Sequence, residues 1–186
     1  MRVGLFLLMA LLPGCVRDPA PALCPDVVKG ELVITEFRGK PSPDDGTKPW
    51  VELYNASPGT VDLYGLRVRF RKATGAGENA IIVRRSVEVG AGEYVVLGLS
   101  VDENLPPYLD YGFASDYRES WLASSTVQLE ACGVEIDRAA YTSLPNSGSY
   151  ALGVNPPDAE ANDNAAAWCN DLAPNGSPRA ANRACP

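Results

Sequence analysis

Leu66-Arg67-Val68-Arg69-Phe70-Arg71-Lys72 alternates apolar and basic residues without a break. Side chains two apart on an extended chain share a face, so Leu66, Val68 and Phe70 face a core while Arg67, Arg69 and Arg71 face outward. A helix would scatter the two sets around its circumference. The same grammar continues on both sides. Upstream, Glu31 to Phe37 (ELVITEF), Trp50 to Asn55 (WVELYN) and the short Val61 to Tyr64 are separated by turn clusters, Pro41 to Gly46 and Ser57-Pro58-Gly59. Downstream, Ile81 to Val89 and Glu93 to Leu97 flank Gly90-Ala91-Gly92, which reads as a hairpin. Val127 to Glu130 and Val134 to Asp137 flank Cys132-Gly133, a second hairpin signal, and Ser149 to Leu152 is the last clear strand. Many short strands with Gly/Pro turns between them predict an all-β sandwich or barrel. Residues 100–125, with Pro106-Pro107, read as a long connection. The Ala/Asn/Asp/Pro-rich chain after Leu152 reads as an irregular strap.

The N-terminus sets an expected compartment. Arg2 precedes an apolar run, Val3 to Leu12, that fits a signal h-region and is too short to span a bilayer, which takes about 20 residues. Leu12-Pro13-Gly14-Cys15 then resembles a bacterial lipobox. On that reading residues 1–14 are a lipoprotein signal peptide, residues 15–27 are the lipidated Cys15 and a Pro/Ala tether, and residues 28–186 are one domain. Acylation with more than one chain makes anchoring stable. Val16 after the cysteine, where Asp does not stand, resembles cargo sorted to the outer membrane.

Cysteine count agrees with export. Apart from Cys15 there remain Cys24, Cys132, Cys169 and Cys185, an even number that suggests two disulfides with three possible connectivities. Cys169 and Cys185 bracket a tail that needs a staple, so they are expected to pair, leaving Cys24 for Cys132. A metal site is not expected: the spacings are wide and the chain has no histidine. The mature chain would hold 15 basic against 23 acidic residues, a balance that opposes nucleic-acid binding.

The order of pieces resembles a known family. Ile34-Thr35-Glu36-Phe37, Trp50-Val51-Glu52-Leu53-Tyr54-Asn55 and Val61-Asp62-Leu63-Tyr64-Gly65-Leu66 are similar to the opening of the lamin-tail domain. Val95-Val96-Leu97, Val127-Gln128-Leu129 and Gly133 to Asp137 follow in the family's order, and Ser177-Pro178-Arg179-Ala180-Ala181-Asn182 resembles its TPGxxN ending. Leu66 stands where the family commonly has Trp, and Arg179 where it has Gly. The resemblance implies an Ig-like sandwich with a binding or structural role, and it supplies no reaction.

Candidate sites follow from residue types. Without histidine, Ser-His-Asp and Cys-His nucleophile arrangements are excluded, and no Gly-rich phosphate loop precedes a helix. No catalytic residue and no cofactor are therefore expected. The Arg67, Arg69, Arg71 row, joined by Lys72 and by Arg84 and Arg85 on a nearby strand, suits an anionic polymer or a lipid head group; a plain solvated face that discourages edge pairing is the simpler account. Asp158 to Asn164 is rich in oxygen ligands but lacks the EF-hand spacing. Trp50 and Tyr54 share a strand face and suit either a ligand platform or packing, and Trp168 is expected to plug the neighbouring disulfide. Glu36, Glu52 and Asn55 are expected to hold turn backbones by hydrogen bonds. These readings point to a non-catalytic lipoprotein of the bacterial cell envelope, held to the membrane by its lipid and binding an envelope protein or polysaccharide. A polysaccharide- or polyanion-binding module and a hydrolase with an unrecognised carboxylate site are the alternatives.

Overall fold

The computed structural model describes residues 23–39, 47–75, 77–117, 121 and 123–186. Residues 1–22, on which the expected signal peptide, Cys15 and the first part of the expected tether fall, lie outside them. Twelve strands run in order: β1 (Leu32–Arg38), β2 (Trp50–Asn55), β3 (Val61–Asp62), β4 (Arg67–Lys72), β5 (Glu78–Ile82), β6 (Glu88–Val89), β7 (Tyr94–Gly98), β8 (Tyr111–Gly112), β9 (Ser125–Ala131), β10 (Val134–Tyr141), β11 (Ser149–Leu152) and β12 (Trp168–Asp171). The described residues contain no α-helix, only a 3-10 turn at Ala165–Ala167.

The strands form an all-β sandwich. One sheet has the order β12-β11-β1-β2-β7-β8, the other β10-β9-β4-β5, and β3 pairs β6 in a two-stranded ladder. All pairings are antiparallel except β7 with β8. Alternation decides which residues go inside. Val68 and Phe70 of β4, with Val127 and Leu129 of β9, meet Ile34, Phe37, Val51, Leu53 and Val95 of the larger sheet in one fully buried core. The intervening residues of β2 and β7 face the other way, and there Trp50, Val96 and Leu109 form a second, smaller cluster.

A bulge in β1 breaks the simple period of two. The register shifts between Ile34 and Glu36, so Ile34 opposes Leu53 while Glu36 opposes Glu52 and Phe37 opposes Val51. One extra residue, Thr35, lets Ile34 and Phe37 both face the core and turns Glu36 onto the outer face. A matching shift lies in β10 between Glu135 and Asp137.

Three sequence expectations change. Ile81 to Val89 is not one strand: β5 ends at Ile82 and joins the smaller sheet, whereas β6 pairs β3. Gly90 to Gly92 is a tight turn, with Glu93 N–H on the Gly90 carbonyl, but it links strands of different ladders and so closes no hairpin. The chain after Leu152 is not irregular throughout, because β12 pairs β11 before the strap begins. The Cys132-Gly133 hairpin does form, with both residues at positive φ (48° and 81°), the backbone demanded by a two-residue turn between twisted strands.

Both disulfides are present, Cys24–Cys132 with Cα atoms 5.5 Å apart and Cys169–Cys185 with Cα atoms 5.7 Å apart.

Candidate functional site

Two arrangements gather chemistry-bearing side chains: the outer face of the larger sheet under the C-terminal strap, and the outer face of the smaller sheet.

The bulge at Thr35 sets up the first. Glu36 and Glu52 sit opposite each other on neighbouring strands, and both are fully buried. After β12 the strap, residues 172–186, crosses above them. Ser177 donates its backbone N–H to Glu36 Oε1 (3.1 Å) and its hydroxyl to Glu36 Oε2 (3.2 Å), and the Ser149 hydroxyl also donates to Glu36. Arg179 donates its N–H to Glu52 Oε2 (2.7 Å), while Thr35 Oγ1 donates to Glu52 Oε1 (2.8 Å). Asn182 Nδ2 donates to the Thr35 carbonyl (2.8 Å), and buried Arg38 reaches the Gly148 and Pro174 carbonyls. The Cys169–Cys185 disulfide fixes the far end of the strap. Burial pushes the Glu36 carboxyl up to about 7; its hydrogen bonds from Ser149 and Ser177 oppose this, and the charge of Asp171 adds to it. Burial and then the neighbouring Glu36 hold Glu52 well above the usual carboxylate range. The oxygens of the pair are thus committed to the strap's Ser177 and Arg179 and to the Ser149 and Thr35 hydroxyls. With neither side chain exposed, no substrate atom reaches it in this conformation.

A third buried acid ties the sheets together. Asp137 Oδ2 accepts the Ile34 N–H (2.7 Å) and an Asn162 Nδ2 hydrogen (2.7 Å), and burial raises its pKa to about 7. Asn162 also donates to the Ile34 carbonyl, and its own carbonyl accepts from Trp168 Nε1 (2.8 Å). In the oxygen-rich loop from Asp158 to Asn164, Asn162 Oδ1 is buried without a hydrogen-bond partner, while the side-chain oxygens of Asp158, Asn164 and Asp163 have partners in the fold. Asp158 Oδ1 accepts from the backbone of Glu160 and Ala161, Asn164 Oδ1 accepts from Ala166 N–H, and Asp163 lies 3.6 Å from Arg138. Among the described residues no group of acids, Cys or His is arranged to hold a metal.

The arginine row is the second arrangement. Arg67, Arg69 and Arg71 point away from the core as alternation requires, but β4 lies inside its sheet between β9 and β5, not at an edge. The neighbouring strands supply acids: Arg67 lies 3.7 Å and Arg69 3.0 Å from Glu130, and Arg69 lies 3.6 Å and Arg71 2.8 Å from Glu78. The stripe is a ladder of three cations threaded by two carboxylates. Arg84 and Arg85 do not extend it. They lie past the end of β5, where Arg84 pairs Asp116 (2.8 Å) and Arg85 grips Asp102 with two nitrogens (2.6 and 2.9 Å). At its last residue the edge of β5 is met by side chains: Ile82 N–H goes to Asp116, and its carbonyl accepts from Tyr111.

The aromatic candidates are packing residues. Trp50 is fully buried beside Val96 and Leu109, and Tyr54 leans on Tyr94 with centroids 4.9 Å apart. Trp168 does not cover the disulfide. Adjacent strand residues face opposite sides, so Cys169 joins the strap while Trp168 enters the core between Phe37 and Tyr150 (5.4 and 5.2 Å). Asn55 holds a turn, donating to the Gly59 and Val89 carbonyls and accepting from Ser57.

No protein-family model matches this chain, and no curated protein matches it either.

The sequence marks Glu36 and Glu52 as acids that hold turn backbones, and they do accept the Ser177 and Arg179 N–H groups, but that the two meet as one sealed pair is not legible in ITEF and WVELYN. What brings them together is the Thr35 bulge, and no local residue pattern announces it.

Proposed function

We propose that the chain is an exported, non-catalytic lipoprotein of the bacterial cell envelope, anchored through Cys15, whose lamin-tail-like sandwich serves binding, adhesion or scaffolding. One observation carries this reading. Of five cysteines, four are consumed in two disulfides, and the one left over is Cys15 at the lipobox. Disulfides of this structural kind belong to oxidising compartments, and an odd cysteine beside a signal-like run suits acylation. The lamin-tail likeness gains support from contact between its motif pieces. Glu36 and Glu52, from the ITEF and WVELYN pieces, receive the Ser177 and Arg179 N–H groups of the terminal SPRAAN piece, and Asn182 returns to Thr35. A scaffold role fits acids that are spent on holding the fold. The test is metabolic labelling with a palmitate analogue, with and without Cys15→Ser. Label on the native chain and none on the variant is expected; equal label, or none on either, removes the lipoprotein reading.

The arginine ladder favours a second reading, an accessory module for an acidic polysaccharide or other polyanion. Three arginines against two glutamates leave a local positive excess on a chain of net charge −7. Replacing Arg67, Arg69 and Arg71 with Ala should abolish salt-sensitive retention on a sulfated-polysaccharide column; retention unchanged by the triple substitution would end this alternative. A hydrolase reading has less to stand on, because the paired carboxyls lie beneath the strap.

A further inference from the structure

We infer that the end of the sandwich where the chain enters the fold is a membrane-contact surface: Leu23, Val28, Tyr64 and Val134 rest on the phospholipid head-group layer to which Cys15 is anchored. This deepens the proposed function and rests on its reading of Cys15 as acylated.

The observation is where the exposed apolar residues lie. Single exposed apolar side chains are ordinary and need no explanation. Among the described residues the large exposed hydrophobics are Leu23, Val28, Tyr64, Val101, Val134 and Leu172. Four of these six gather at one end. Leu23 and Cys24 press so closely on Gly65 that a Cβ there would strike the Leu23 carbonyl, and Leu23 and Tyr64 line one surface depression with Asp26 and Asp62. The Cys24–Cys132 bond joins this entry point to the β9–β10 hairpin, two residues before Val134. Gly30 N–H on the Ile136 carbonyl brings the segment containing Val28 alongside the same hairpin. Val101 and Leu172 sit at the other end, past Gly98 and Asp171, near where Trp50 and Arg38 pair.

The length of chain outside the fold says what occupant this end meets. Cys15 stands eight residues before Leu23. Even fully extended, eight residues reach at most about 28 Å, and any more compact state brings the domain closer. The disulfide at Cys24 keeps the entry segment from peeling away to lengthen the leash. The domain's entry end is therefore held at the bilayer, and its unpaired apolar groups are what it presents there. Tyr64, part apolar and part polar, suits the interfacial layer. Asp26 and Asp62 beside Leu23 and Tyr64, with exposed Lys29 next to Val28, give this end charges of both signs and no basic patch for anionic lipid, so the contact is made on zwitterionic head groups through apolar side chains.

The experiment uses the full acylated chain in phosphatidylcholine nanodiscs containing a head-group nitroxide lipid. Methyl NMR signals are compared before and after ascorbate reduces the nitroxide, so each methyl is its own reference. The inference expects several-fold intensity loss at Leu23, Val28 and Val134 while the nitroxide is active, with Val101 and Leu172 unaffected. Equal loss at all five, loss only at Val101 and Leu172, or no loss anywhere would overturn it. Intact mass of the same sample separates the two failures: absence of acyl chains at Cys15 defeats the anchoring reading itself, whereas an acylated chain without the end-selective loss defeats only the contact surface.

Discussion

At Thr35 one extra residue in β1 decides the fate of its neighbours. Without it, Leu32, Ile34 and Glu36 would share a face and the carboxyl would enter the core, at a cost of several kcal/mol for a charged group. With it, Phe37 goes in and Glu36 meets Glu52 under the strap. A sequence with Ile34, Glu36 and Phe37 in this order carries the conflict but does not say which residue is skipped. The buried acids make stability depend on pH. Glu36 and Asp137 hold protons up to about pH 7 in the native state and release them near 4.5 and 3.8 when unfolded; Glu52 shifts the same way. The native chain thus binds more protons between those limits, and stability falls as pH rises from about 4.5 to 7. Denaturant melts should show lower stability at pH 8 than at pH 5. Glu36→Gln, which keeps the acceptor and adds donors for Ser177, should remove part of that slope, on the order of 3 kcal/mol or less. A slope that rises with pH, or one untouched by the substitution, contradicts this. Arg179 is the other telling residue. Its φ of 65° is the left-handed backbone that Gly adopts without strain. Arg179→Gly should be more stable than Arg179→Ala by about 1 kcal/mol, since only Ala keeps the strain once the side chain is gone. Equal melting of the two variants would mean the strap relaxes there.

Among the elements, the strands with strict alternation or dense β-branching were legible: β2, β4, β9 and β11 begin and end within a residue or two of where their patterns do. What a short pattern does not carry is partnership. Val87 and Val89 read as a continuation of Ile81, yet Arg84 and Arg85 leave the sheet for Asp116 and Asp102, and the chain restarts against β3. The arginine row was legible as a face, but its pairing with Glu78 and Glu130 depended on which strands flank β4. Pairs of this kind, from partly buried at Arg69–Glu130 to half-exposed at Arg71–Glu78, add little stability each, commonly about 1 kcal/mol or less. The strap is different, because it closes a buried polar centre. Opening the Cys169–Cys185 loop, whose ends are 16 residues apart, should cost about 3 kcal/mol in the chain-entropy model. In Cys169→Ser/Cys185→Ser protein, amide exchange should accelerate first at Ser177 and Arg179, whose N–H groups cap the carboxyls. Uniform acceleration across both sheets would show instead that the strap and the sandwich open as one.

For the molecule as a whole, sheet-on-sheet packing accounts for the fold, and the two disulfides fasten its ends: one pins the chain's entry to a hairpin, the other pins the strap over the acids. The two disulfides account for every cysteine but Cys15. That remaining thiol carries the central claim. Intact-mass and non-reducing peptide analysis of the protein from the membrane fraction tests it most directly. The account predicts a chain beginning at Cys15 with acyl groups on that residue, and peptides linked Cys24 to Cys132 and Cys169 to Cys185. A chain still beginning at Met1, with five free thiols and recovered from cytosol, would contradict it.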